Sequence, residues 1–86
     1  GELAGKSFVI TGALQSMSRD QAAEKIRALG GTFQTSVGKD TAYLVAGGKV
    51  GASKLARAEK YGTKVIDEAV FMKIVKEAQA LLLNEP

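Results

Sequence analysis

The sequence predicts an α/β domain, a four-stranded parallel sheet flanked by three helices. Three observations predict it. Short apolar, β-branched runs alternate with segments whose apolar residues return at helical spacing. The order is β-α-β-β-α-β-α, and strands that are apolar along their length belong in a parallel sheet covered on both faces. The chain has 86 residues and neither a repeat nor a dividing linker, so one modest core is its ceiling.

Ser7-Phe8-Val9-Ile10-Thr11 is the first strand, buried on both faces and ended by Gly12. Residues 12–17 are a loop. Ser18-Arg19-Asp20-Gln21 has the spacing of a capping box, with Ser at the N-cap and Gln three residues on. Ala22, Ala23, Ile26 and Leu29 then make one apolar stripe, and Gly30-Gly31 stops the helix, the first as a left-handed cap. Thr32-Phe33-Gln34-Thr35 alternates and reads as a short edge strand. Residues 37–41 are mostly polar and turn-like, and Tyr43-Leu44-Val45-Ala46 is the third strand. A glycine-rich loop from Gly47 to Ala52, with Lys49 and Val50 inside it, leads to Ser53 as the cap of the second helix. Leu55 and Ala58 of that helix face inward and Gly62 ends it. Lys64-Val65-Ile66 is the fourth strand. Asp67 caps the third helix, and Glu68 complements its dipole. The third helix carries a stripe of Val70, Phe71, Ile74, Val75, Ala78, Leu81 and Leu82, and Asn84-Glu85-Pro86 frays. Phe8, Phe33, Tyr43 and Phe71 fall on these buried surfaces, which leaves Tyr61 as the partly exposed aromatic.

Composition removes whole classes of chemistry. The chain contains no cysteine and no histidine, which excludes disulfides, thiolate or imidazole metal sites and His-based triads. No apolar run approaches a membrane span, no signal-peptide pattern opens the chain, and no membrane partner is expected. Opening on Gly1 rather than Met fits a piece excised from something larger. Twelve Lys and Arg against nine Asp and Glu leave a net charge of +3, which permits nucleic acid as a partner without demanding it. Gly47 to Lys54 lacks the Gly-Lys-Ser/Thr ending of a Walker loop and the Rossmann glycine spacing, so it reads as a mobile connection. Asp67 and Glu68 serve a helix end rather than acid-base chemistry.

One placement does point to a ligand. In a parallel sheet, helices begin near the carboxyl ends of the preceding strands, and anions bind at that edge on free helix N–H groups. Thr11-Gly12 closes the first strand. Arg19 follows the capping Ser18, and Lys54 follows Ser53. A cation in a first helical turn opposes the dipole by roughly 0.3–1 kcal/mol. Two such cations at one edge make sense around a phosphate, with Thr11 offering a hydroxyl and Gly12 a backbone N–H that can be approached closely. Each residue also has a plain structural explanation. Asp20 can neutralise Arg19, Lys54 can be a solvated side chain, and Thr11 can be only a β-branched strand end.

The same residues resemble the BRCT domain family over nearly the whole chain, from Leu3 to about Val75. The resemblance is carried by Leu3-Ala4-Gly5-Lys6-Ser7-Phe8-Val9-Ile10-Thr11-Gly12, Ser18-Arg19-Asp20 and Leu29-Gly30-Gly31. It continues in Thr41-Ala42-Tyr43-Leu44-Val45-Ala46-Gly47, Ser53-Lys54-Leu55-Ala56-Arg57-Ala58 and Lys64-Val65-Ile66-Asp67-Glu68. Within the family the chain is most similar to the C-terminal BRCT domain of bacterial NAD-dependent DNA ligases. The BRCT domain of the replication factor C large subunit is the next most similar.

The resemblance implies helices one and three on one face of the sheet and helix two on the other. It implies a phosphate pocket at Thr11, Gly12 and Lys54, joined in the clamp-loader branch by an Arg that Arg19 resembles, with Arg57 one turn beyond Lys54. It also implies a non-catalytic module that binds nicked or 5′-phosphorylated duplex DNA, with the parent ligase's NAD bound elsewhere and no cofactor in this domain. Other domains of the parent or partner proteins are the further partners, and a protein-binding, phosphopeptide-type module is the rival reading. The expected location is the bacterial cytoplasm, or the nucleus for the clamp-loader branch. Two positions depart from the pattern. Phe71 stands where many members have Trp, and Lys39-Asp40 replaces the pair of basic residues usual before the third strand in the ligase branch.

Overall fold

A computed structural model describes residues 3–48 and 51–83 of the chain. The elements are β1 (Ser7–Thr11), α1 (Arg19–Ala28), β2 (Thr32–Gln34), β3 (Tyr43–Ala46), α2 (Ala52–Tyr61), β4 (Lys64–Asp67) and α3 (Glu68–Leu83). The strands form one sheet in the order β2-β1-β3-β4, every pair parallel, with the short β2 at an edge. The predicted element order and the parallel sheet are both present. The expected loop residues Lys49 and Val50 and the tail 84–86 lie outside the described residues.

Strand alternation sends side chains to two unequal cores. Phe8 and Ile10 of β1, Val45 of β3 and Ile66 of β4 join Ala22, Ile26 and Leu29 from α1 and its cap, and Phe71, Val75 and Ala78 from α3. On the opposite face Val9 and Leu44 meet Ala58 of α2 and Val37. Helices α1 and α3 therefore cover one face and α2 the other, as the resemblance implies. Phe8 centres the larger core. Its ring stacks on Tyr43 at 5.2 Å and meets Phe71 edge-on at 6.0 Å. Phe71, which stands where many members of the resembled family have Trp, is fully buried.

Local signals behave largely as the sequence predicts. Ser18 and Gln21 form the reciprocal capping box at 3.1 and 2.9 Å. After α1, Gly30 takes a left-handed φ of 87°, and Gly30 and Gly31 donate to Arg27 and Ile26 in a Schellman arrangement. Gly62 ends α2 with a φ of 68°.

Three expectations need correction. Helix α2 begins one residue before Ser53. Its N-cap is Gly51, which makes no side-chain hydrogen bond, so Ser53 sits inside the first turn. Leu55 is exposed rather than inward, because Val9, Val37, Leu44 and Ala58 already fill the small core on that face. In α3 the buried line is Phe71, Val75 and Ala78, with Ile74 half-buried and Val70 and Leu81 exposed. The sheet is narrow, and only one stripe of a 16-residue helix can face it. The side chain of Leu82 lies outside the described ones. The turn at 37–41, mostly polar and turn-like as expected, has two buried residues. Val37 and Thr41 are buried, and the Thr41 hydroxyl accepts from the Gly38 N–H at 2.9 Å and donates to Gln34 Oε1 at 2.5 Å.

Candidate phosphate-binding corner

Strand register builds the carboxyl edge. Thr11 pairs with Ala46, and Ala46 pairs with Asp67, so three strand ends stand side by side. Each continues into a loop or helix that carries a candidate residue. Thr11 is buried, and its carbonyl accepts the Gly47 N–H at 2.7 Å. Gly12 follows with a φ of 79°, a left-handed turn that an L side chain would strain. The chain then bends so that the Ala13 carbonyl accepts the Gly48 N–H at 2.9 Å. The pairing of β1 with β3 thus continues beyond both strands, through the loops that lead to α1 and α2. Gly47 and Gly48 are part of this join, not of a free connection.

The cations are placed by their helices. Arg19 is the first residue of α1 and is exposed. Lys54 lies in the first turn of α2 and is half-buried, and Arg57 follows one turn later, exposed. Arg19 and Lys54 start from the same edge of the sheet but on opposite faces. None of the three cations is built into the core. Lys39 belongs to the turn that leads into the amino end of β3, whereas Thr11 stands at the carboxyl end of β1.

The helix starts at this edge are satisfied differently. The capping box closes α1. Asp67 closes α3, with Oδ1 accepting the Val70 N–H at 2.8 Å. The N-cap of α2 has no side-chain bond, and its first turn contains Lys54 and no acidic residue. Among the described residues no side chain caps this N-terminus, and its positive dipole end adds to the Lys54 charge, which is the electrostatics of an anion site.

The sequence reading missed what Glu68 does. Instead of merely complementing the dipole of α3, its carboxylate spans the β1–α1 loop. Oε1 accepts the Gln15 N–H and Oε2 the Ser16 N–H, each at 2.7 Å, and the Ser16 hydroxyl also donates to Oε2. The Ser16 hydroxyl foremost, then the Gln15 and Ser16 N–H groups, hold the Glu68 carboxyl below the usual carboxylate range. The one available signal was a second carboxylate beside Asp67, where a single carboxylate suffices to cap the helix.

An open groove of about 530 Å³ lies between α1 and α3, lined by Met17, Gln21, Lys25 and Met72 among others. It contains none of Thr11, Gly12, Arg19, Lys54 and Arg57. Among the described residues no cluster of acidic side chains could hold a metal ion, and no helix is long and apolar enough to cross a membrane.

Residues 1–75 match the family model described as the BRCA1 C Terminus (BRCT) domain. Among curated proteins, the chain is 48% identical over 75 residues to a DNA ligase of Aquifex aeolicus, a match covering 87% of this chain and 10% of that protein. It is 49% identical over 75 residues to a DNA ligase of Alkalilimnicola ehrlichii, covering 87% of the chain and 11% of the relative. A DNA ligase of Roseiflexus is 49% identical over 73 residues, covering 85% of the chain and 10% of the relative. The chain thus spans about a tenth of the length of these relatives.

Proposed function

The chain belongs to the BRCT family, and from that premise we propose that it is the non-catalytic DNA-binding module of a bacterial, cytoplasmic NAD-dependent DNA ligase. Its task is to hold a nicked or 5′-phosphorylated duplex while the rest of the ligase does the chemistry. NAD and the nucleotidyl-transfer step belong, in this reading, to that remainder. The name of the relatives supports the ligase branch over the clamp-loader branch.

The β1 corner carries the reading. Gly12 turns left-handed at the end of a buried strand, beside the loop into a helix whose N-terminus lacks a capping side chain and carries Lys54. A phosphate would receive N–H groups there and charge-assisted hydrogen bonds from Lys54 and Arg19, with Arg57 adding long-range attraction. Such contacts position a duplex and carry no base sequence. With so few of them, affinity is modest and strongly salt-dependent.

An NMR titration tests this. Nicked duplex with a 5′ phosphate should shift the amides of Gly12, Arg19, Ser53 and Lys54 in a saturable way, and unphosphorylated duplex should shift them much less. Equal responses to both duplexes would refute the pocket. A phosphopeptide that shifted the same amides more tightly than DNA would transfer the site to a protein partner.

A further inference from the structure

We propose that Glu68 is a positioning residue for this corner, tying down the β1–α1 loop that begins at Gly12 and ends at Arg19. The inference rests on the phosphate reading of the corner. It also makes a statement about the free chain that stands apart from it.

The loop needs a tie. Residues 12–18 have no regular secondary structure, yet they connect two candidate phosphate ligands. Their near end is joined to β3 by the Gly48–Ala13 bond. Leu14 and Met17 pack partly against the core. Between those two side chains, Gln15 and Ser16 would expose two successive N–H groups with no strand or helix to receive them. Glu68 receives both, one on each carboxylate oxygen, across more than fifty residues of sequence. Two adjacent N–H groups and two carboxylate oxygens match as a bidentate pair, the arrangement by which backbone nests hold anions. The anchor is rigid, because Glu68 directly follows Asp67, which stands in register with Ala46 and Thr11. Loop and strand ends are therefore referenced to one row of the sheet.

The sign of the effect separates positioning from charge. Glu68 is negative and lies at the edge where an anion would bind. On charge alone, removing it should strengthen phosphate binding. If the Gln15–Ser16 nest were itself the phosphate site, blocked by Glu68, removal should again strengthen binding. Positioning predicts the opposite sign.

The experiment compares the chain with Glu68→Gln and Ser16→Ala, using 5′-phosphorylated nicked duplex as the probe and thermal melts to confirm folding. Glu68→Gln removes one good acceptor and the charge. Ser16→Ala removes one donor and leaves the charge. The expected result is weaker binding in both, on the order of tenfold for Glu68→Gln and less for Ser16→Ala. Amide order parameters and hydrogen exchange of residues 12–18, read in the free chain, should show loosening confined to that loop. Unchanged or tighter binding by a well-folded Glu68→Gln, with the native chain binding normally, overturns the inference and leaves the phosphate reading intact. If the native chain binds no phosphorylated duplex, the phosphate reading fails instead, and the free-state measurement decides the tie. A loop that stays as ordered in Glu68→Gln as in the native chain overturns it outright.

Discussion

Gly47 lies against the backbone of Ala13 so closely that a Cβ built on it would stand 2.7 Å from the Ala13 carbonyl oxygen and 2.9 Å from its carbon. No side chain gives way there, because the neighbour is main chain. The contact joins the end of β3 to the turn after β1. It explains why the glycine-rich loop begins with a residue lacking a side chain.

Gly47→Ala should therefore push the two loops apart. Forcing a methyl into such a contact costs roughly 1–3 kcal/mol. The amides of Gly12 and Ala13 should shift, and phosphorylated duplex should bind less well. Gly48→Ala is the control, since its Cβ would meet the Ala13 oxygen at an ordinary 3.5 Å. Denaturant melts of the two variants give the comparison, and equal midpoints would contradict it.

In the core, Val75→Asp should unfold the chain. Val75 is 1% exposed, and burying an unpaired carboxylate there costs several kcal/mol. A chain of this length holds roughly 4–13 kcal/mol in total, so little stability would remain. Ile74→Asp should be milder, because the half-buried Ile74 can turn its side chain toward water. Circular dichroism melts that ranked the two in the reverse order would show that α3 packs on a different stripe.

At the corner, Lys54→Ala and Arg19→Ala should each weaken duplex binding by roughly 1–3 kcal/mol, the scale of a charge-assisted hydrogen bond. The loss should be the same for all base sequences and should shrink as salt rises. Lys76→Ala, on exposed α3 surface, is the control and should do little. Fluorescence anisotropy across a salt series reads all three. Equal small losses would indicate diffuse surface charge, and full binding by the Lys54→Ala, Arg19→Ala pair would remove DNA from this site.

The Glu68 tie should depend on pH in one direction. Its carboxyl is held below its ordinary value in the folded chain, so its contribution is complete above the unfolded glutamate pKa of about 4.3. The contribution is lost as pH falls through the lower folded value. The native chain should therefore melt above Glu68→Gln at neutral pH, and the gap should close only in the acid range. A gap independent of pH down to acid unfolding would show that the carboxylate does not make the tie.

The isolated chain should seal no nick when given NAD. It contains no histidine or cysteine, and among the described residues no acidic cluster that could hold a metal ion. Sealing activity that tracked the chain through further purification would overturn the non-catalytic assignment.

Element order, caps and stops were legible because their causes are local. A capping box needs Ser18 and Gln21 three residues apart, a left-handed stop needs Gly30 or Gly62, and a buried strand needs a run such as Phe8-Val9-Ile10. Thr11, Gly12, Arg19 and Lys54 could be assigned to one edge for a similar reason: parallel strands must all point the same way. Where each helix turns its side chains was less legible. Val70 and Leu81 fit an apolar stripe as well as Val75 does, and only the width of the sheet selects among them. The contacts that shape the corner could not be read from the chain at all. Glu68 reaches Gln15 and Ser16, and Gly47 meets Ala13, only because Thr11, Ala46 and Asp67 fall into one register row. The sequence by itself determined the elements and the edge at which their ends gather. Strand register, which depends on packing of the whole sheet, decided which loop residues touch there.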